Sequence, residues 1–350
     1  MTSSTSGAIS MLTTSTLEKA AMDTNPRLAR TPSAARAGLL ARLWQASPPL
    51  TAAGVVLVVA ACASTVGLLV DPRTIAGAPA WLKPLKFAVS TAVYSFTLAW
   101  VFTYLEDRPR VRRVAGWTTA IVLVLEVAII DAQALRGTTS HFNVVTALDR
   151  TLYITMGTAI IVQTAVSISV AVALWRQRFT DRSLGWGLRF GMALTIIGAL
   201  TGGLMTRPTS AQLADLRAGG QKTHVGAHTV GGPDGGPGIP VSGWSREHGD
   251  LRVPHFLGLH ALQALALVAV GLRRWRRPET ARAKAMLAAT ASYAALFAVL
   301  LWQALRGQSR VAPDATALAV LGAWAVCTLV AVGAIAMGSR PAHAPTEVTA

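Results

Sequence analysis

The sequence predicts an all-α integral membrane protein with about eight transmembrane helices, and three observations carry that prediction. Of the 350 residues, 52% are hydrophobic and only 14% are charged. The apolar residues fall in long unbroken blocks rather than in amphipathic alternation. The pentapeptide Gln-Ala-Leu-Arg-Gly occurs twice, at Gln133–Gly137 and Gln303–Gly307, each time where an apolar block ends. A helix needs roughly 20 apolar residues to cross the hydrocarbon core, and only helices and closed barrels satisfy their backbone polar groups there. The alternating segments of about ten residues that build a membrane barrel are absent.

The blocks lie at 50–70, 84–105, 117–136, 151–175, 185–205, 253–272, 286–305 and 315–337. Residues 1–46 lack an apolar block and are rich in Ser, Thr, Ala and Arg, which predicts a disordered cytoplasmic tail. Residues 338–350 form a second short tail. Orientation follows from Lys and Arg in the connecting segments. With both termini inside, the inner segments hold nineteen of them and the outer side twelve, so the prediction is N-in, C-in.

Each block has a partner in the other half of the chain. The first leaves through Asp71-Pro72-Arg73 and the fifth through Thr206-Arg207-Pro208. The second opens at Pro84 and the sixth at Pro254, where a missing N–H is harmless. The third and seventh end in the pentapeptide, whose glycine sits where a left-handed helix cap forms. Asp149 and Asp314 precede the fourth and eighth, placed to cap them or complement their dipoles. Four echoes in one order predict two four-helix repeats, 47–182 and 183–337. An even number of spans in each makes them parallel, related by an axis along the membrane normal.

The halves differ in one connection. Residues 206–252 form a 47-residue outer loop where the first half needs only 71–83. Loops of that length are functional or disordered. Its Gly-Gly-Pro-Asp-Gly-Gly run at 231–236 lacks the Lys and Ser/Thr spacing of a phosphate loop, so it reads as a turn-rich lid or a plain linker.

Trp81-Leu-Lys-Pro-Leu-Lys-Phe87 and Gly249-Asp-Leu-Arg-Val-Pro-His-Phe-Leu-Gly-Leu-His-Ala-Leu-Gln263 resemble signatures of a family of uncharacterised bacterial multi-pass membrane proteins. The resemblance implies a place in the bacterial inner membrane and brings no catalytic role. Arg outnumbers Lys by 27 to 5 in an Ala-rich chain, a composition typical of a GC-rich bacterial genome.

Several function classes fall away. The net charge of +16 sits in short clusters beside spans, as in Arg273-Arg274-Trp275-Arg276-Arg277, where positive-inside bias explains it, and no nucleic-acid motif accompanies it. Cys62 and Cys327 lie inside predicted spans, which excludes a disulfide framework. Ala63–Val70 continues the apolar run after Cys62, unlike the polar tether of a lipoprotein. A Gly-x-Ser-x-Gly elbow and an HExxH helix are absent.

Polar groups within spans carry the remaining signal, because they face a cavity or a partner. Lys86, Glu126, Asp131, Gln133, His255, His260, Gln263 and Gln303 are the candidate solute- or ion-binding residues, nearly all in the outer half. His141, His228, Asp234, Asp250 and Arg252 stand above them in the outer loops. Each has a plainer reading: Lys86 and His255 snorkel, Arg136 and Arg306 serve helix ends, and Glu126 pairs with Lys86 or His260. Trp81, Trp117 and Trp244 read as interface aromatics.

A divalent metal would draw on His141, His228, His255 and His260, with Asp131. Haem cannot use His255 and His260 together, since five helical residues leave their rings about 140° apart. Three classes stay open. The first is a protein with an outward polar pocket that binds or transports a proton, cation or small polar solute. The second is a haem- or metal-dependent oxidoreductase or hydrolase in the membrane, and the third a structural or assembly protein. The bilayer is the one partner that all three share, and nucleic acid is a partner of none.

Overall fold

The computed structural model describes residues 38–221, 223–236 and 238–338. The chain runs α1 (Leu39–Ala46), α2 (Pro48–Val70), a two-residue hairpin β1–β2 (Thr74–Ile75, Ala78–Pro79), α3 (Leu82–Phe102), α4 (Pro109–Leu135), α5 (Ala147–Arg176) and α6 (Arg182–Met205). It continues through α7 (Ser210–Arg217), β3 (Thr229–Val230), β4 (Gly249–Asp250), α8 (Arg252–Leu259), α9 (Ala261–Leu272), α10 (Glu279–Leu305) and α11 (Ala315–Gly338). Seven of these helices, α2 to α6, α10 and α11, are long and apolar enough to cross a membrane. The pair α8–α9, bent by 46°, supplies an eighth when taken as one broken span. The chain is a multi-pass helical membrane protein.

Two boundaries move for local reasons. Residues 39–46 are a helix rather than tail: Leu43 and Ala46 pack inward, and Ser47 in extended conformation separates α1 from the Pro48-Pro49 start of α2. The remainder of the predicted tail, and residues 339–350, lie outside the described residues. Helix α5 starts at Ala147 because Thr146 caps it, its Oγ1 accepting the Asp149 N–H at 3.1 Å. Asp149 is thus the third helical residue, whereas Asp314 does cap α11 through the Ala317 N–H at 2.7 Å.

The predicted sixth span is broken at His260, and the break is compensated. Thr195 Oγ1 on α6 accepts the Leu262 N–H at 3.2 Å, and Tyr293 Oη on α10 donates to the Leu257 carbonyl at 2.6 Å. Backbone groups freed at membrane depth must find such partners. The helices flanking the break reach α6 along a ladder of glycines. A Cβ on Gly198 would stand 2.5 Å from the Gly258 backbone, and one on Gly191 2.8 Å from Leu262 Cα. Small residues of this kind let backbones meet without lipid between them.

Helix contacts have the same pattern twice. In the first set α2 packs on α3 and α4, α3 on α4, and α4 on α5. In the second α6 packs on α8, α9 and α10, these two on α10, and α10 on α11. Helices α5 and α6 join the sets, and α11 buries only Ala317. One end of the bundle carries the hairpin and residues 206–252. The other carries the arginine-rich turns between α3 and α4, α5 and α6, and α9 and α10.

Candidate functional site

The two pentapeptides build the same turn. Gly137 and Gly307 have φ of 73° and 71°, as a left-handed cap requires. Gln133 Nε2 donates to the Thr139 carbonyl, and Gln303 Nε2 to that of Ser309, six residues on in both cases. Arg136 pairs with Asp149 at 2.7 Å and Arg306 with Asp314 at 2.8 Å, each reaching the first turn of the next helix. Gln133 and Gln303 are therefore committed to holding turns.

The long loop is a folded cap over this end. Asp234 accepts the backbone N–H groups of His228 and Thr229 and the His228 Nδ1–H, fixing one corner. Buried Asp250 takes Arg252 in a two-pronged pair and the Ser245 N–H, and Arg252 reaches on to the Gly243 carbonyl at 2.7 Å. A capping box of Thr209 and Gln212 starts α7, and the Gln212 side chain also bonds both backbone groups of Gly226. The cap is fastened to both halves. Asn143 bridges His224 on one side and Gln308 bridges His248 on the other. Gly249 lies so close to the second pentapeptide that a Cβ would stand 2.1 Å from the Ala304 carbonyl oxygen. Asp234, Asp250 and Arg252, candidates for solute contact, are the joints of this cap.

Beneath it lies a cluster centred on a residue that sequence reasoning passed over, Lys83. Its ammonium, a donor only, stands 3.1 Å from His141 Nδ1, which must accept; the Ser140 hydroxyl meets the same nitrogen at 3.0 Å. Phe87 packs on the His141 ring, and Phe142 lies between His141 and His228 with centroids 6.2 and 4.8 Å away. Phe142 is held at φ 62°, a region that bulky residues rarely adopt, so strain is placed beside His141. Lys86 turns away: its Nζ donates to the Ser242 carbonyl from an exposed position. Helical phase explains the choice. Lys86 shares its face with exposed Val89 and Val93, whereas Lys83 shares the face of Phe87, Ser90 and Tyr94.

Below Lys83, Glu126 is 4% exposed, its Oε1 has no hydrogen-bond partner, and Lys83 is within electrostatic reach. The charge that acts on it through space is that of Lys83, where the sequence offers Lys86 or His260. Gln263 on α9 has both amide atoms buried and unpartnered, and Asp131 Oδ1 is likewise alone. Most buried polar atoms in proteins are hydrogen-bonded, which sets these three residues apart from the bonded turns above them.

The two histidines of the sixth span diverge across its break. His255 Nδ1 donates to the Gly198 carbonyl at 2.7 Å, and its ring fills the space left by Gly202. His260 Nε2 meets Ser90 Oγ at 3.1 Å on the other side. A metal site from His141, His228, His255, His260 and Asp131 does not assemble, because among the described residues no three His, Cys, Asp or Glu groups converge. Of the interface aromatics, Trp81 donates its indole N–H to Asp71 at 2.8 Å, Trp244 packs on Phe256, and Trp117 is exposed.

Outside the spans, burial and then the Lys83 charge hold His141 well below the ordinary histidine range, and burial also lowers His228 against the opposing pull of Asp234. A histidine lowered in the folded state is bound neutral. Its contribution to stability is complete above the unfolded value near 6.5 and is lost as pH falls below it. The melting temperature in detergent is expected to be flat above about pH 7 and to drop between about pH 6.5 and 5, each such group adding a slope of up to about 1.4 kcal/mol per pH unit. His141→Gln should remove a large part of that slope; an unchanged profile in the variant contradicts the assignment.

No family model matches this chain, and no curated protein or solved structure is similar to it. The resemblance carried by Trp81–Phe87 and Gly249–Gln263 therefore assigns it to no family.

Proposed function

We propose that this protein binds and translocates a small polar solute in exchange or symport with a proton, along the polar residues between α3, α4 and the break of α8–α9. Glu126 is the proton carrier, and Lys83 is the group that answers its charge. The observation that carries the proposal is the Glu126 carboxyl, inside a span, with an unpartnered oxygen and one cation in reach. A purely structural polar group would be bonded between helices, as Ser292, Thr328 and Trp324 are bonded between α10 and α11. A bare metal cation suits the site poorly, since the positive charges of Lys83 and Arg252 act within it. A solute with acceptor groups, such as a carboxylate, suits it well.

The architecture we assign is two parallel four-helix repeats in the bacterial inner membrane, both termini in the cytoplasm and the cap of residues 206–252 outside. Support comes from a constant spacing. Pro84 and Pro254, Gln133 and Gln303, Gly137 and Gly307, and Thr139 and Ser309 are each separated by 170 positions. So are Ser90 and His260, which touch. Two equivalent positions meet only near the axis that relates them. A broken helix beside that axis is a feature of transporters whose repeats rock around a central site.

Reconstitution into liposomes with an internal pH dye tests the proposal. Wild type is expected to move protons down an imposed gradient, and Glu126→Gln to lower the rate by about tenfold or more, within the range that a lost proton-transfer group commonly causes. Absence of flux in wild type, or equal flux in the variant, defeats it.

A further inference from the structure

At the opposite, arginine-rich end, a cavity of about 450 Å³ opens between the end of α5 and the start of α6. We propose that it binds the phosphate headgroup of an anionic lipid. This inference is independent of the proposed transport function.

The cavity is built around Arg189, two turns into α6. Its Nε donates to the Leu174 carbonyl at 3.1 Å and its Nη2 to that of Gln177 at 2.7 Å, so the guanidinium is clamped onto the unpaired end of α5. The Trp175, Phe179 and Trp186 rings surround it, with centroids 5.8, 5.3 and 5.2 Å from its Cζ. Arg176, Arg178 and Arg182 complete the lining, which contains no carboxylate. Nearby acids are engaged elsewhere: Asp181 pairs with Arg273 at 2.8 Å and caps the Leu184 N–H, and Glu279 accepts the backbone N–H of Arg182. Four arginines thus line one concavity whose own lining holds no carboxylate.

Positive-inside bias accounts for arginines at such a boundary. It does not account for four arginines lining one half-open concavity or for Arg189 fixed within it. Basic pockets between helices at a membrane face recognise lipid phosphates, and arginine matches their oxygens in a fork. Free phosphate has the same chemistry, but a second observation selects lipid. Ile161, Ile168, Val172 and Trp175, exposed by 71, 50, 43 and 47%, form one stripe of α5 that ends at the cavity mouth. That stripe gives an acyl chain a track while its headgroup sits among the arginines.

The test uses the full chain in a mild detergent and lipids with brominated acyl chains, which quench nearby tryptophan. Brominated phosphatidylglycerol is expected to quench saturably, brominated phosphatidylcholine at much higher concentration, and Trp175→Phe to remove part of the signal. Arg178→Gln with Arg182→Gln should raise the half-saturating phosphatidylglycerol concentration roughly tenfold to thirtyfold. Both side chains are exposed, so an unchanged melting temperature without lipid verifies the fold; if it falls, Arg176→Gln is measured alone with the same expected direction. Equal quenching by the two lipids overturns the proposal, as does unchanged affinity in the arginine variants. Displacement of the lipid by inorganic phosphate at equal concentration overturns the lipid as its source.

Discussion

Gly198→Val is expected to be strongly destabilising, and its cause is geometric. The α6 and α8 backbones cross so closely that a Cβ on Gly198 would lie 2.5 Å from both Cα and C of Gly258. Those are backbone atoms, which cannot rotate away as the end of a side chain does. The helices must separate, and separation also draws the Gly198 carbonyl from the His255 ring, now 2.7 Å away. Overpacking costs about 1–3 kcal/mol and a buried donor left unpaired another 1–3 kcal/mol or so. A total loss of about 2–6 kcal/mol follows, a large share of the marginal stability of most proteins. Gly203 on the same helix is the control: a Cβ there meets nothing within 4 Å. Gly203→Val should shift reversible unfolding by about 0.5 kcal/mol or less. Equal effects at the two positions would show that α6 does not meet α8 in this way.

Much of this fold is legible in the sequence because membrane crossing is a one-dimensional requirement. A run of apolar residues long enough to span declares itself, and Gly137 and Gly307 declare the turns that follow two such runs. The break at His260 is not legible. Residues 253–272 form one apolar block, and the groups that make a break tolerable, Thr195 and Tyr293, stand 67 and 36 positions from the backbone groups they serve. Helix starts were read late for a related reason. Composition marks where the hydrocarbon begins, while the Arg-rich first turn of α4 and the Glu279-to-Lys284 turn of α10 continue the helix into the headgroups.

The site was half legible. Glu126 stands out in any apolar run, but which cation acts on it depends on helical phase: the sequence offers Lys86 or His260, and in the structure it is Lys83. Gln133 and Gln303 looked like binding groups because a glutamine near a span end can serve a solute or a turn; only the carbonyls of Thr139 and Ser309 decide. The order of the loop was hidden as well. Its glycines and prolines would suit a slack linker, and what fixes it are long-range contacts to Asn143 and Gln308.

Lys83→Met is expected to have the largest effect at the site itself. The substitution keeps most of the packing volume on Phe87 and His141 and deletes the cation whose charge reaches Glu126. The two groups act on each other through space rather than as a bonded pair, so a loss of about 1–3 kcal/mol is expected. Glu126→Gln removes the charge at the opposite end, and Lys83, half-buried and still bonded to His141, tolerates that better; a loss of about 1–2 kcal/mol is expected. The double variant supplies the decisive number. If the two groups answer each other, Lys83→Met in the Glu126→Gln background costs far less than in wild type, with a coupling of about 1–3 kcal/mol. Additive losses show that the groups act separately and remove the pair from the mechanism. Flux then separates structure from function. Glu126→Gln should remain folded and lose proton movement, Lys83→Met should lose both, and the double variant should recover stability without recovering flux, because the carrier is absent. Recovery of flux in the double variant would mean that protons cross this bundle by another route.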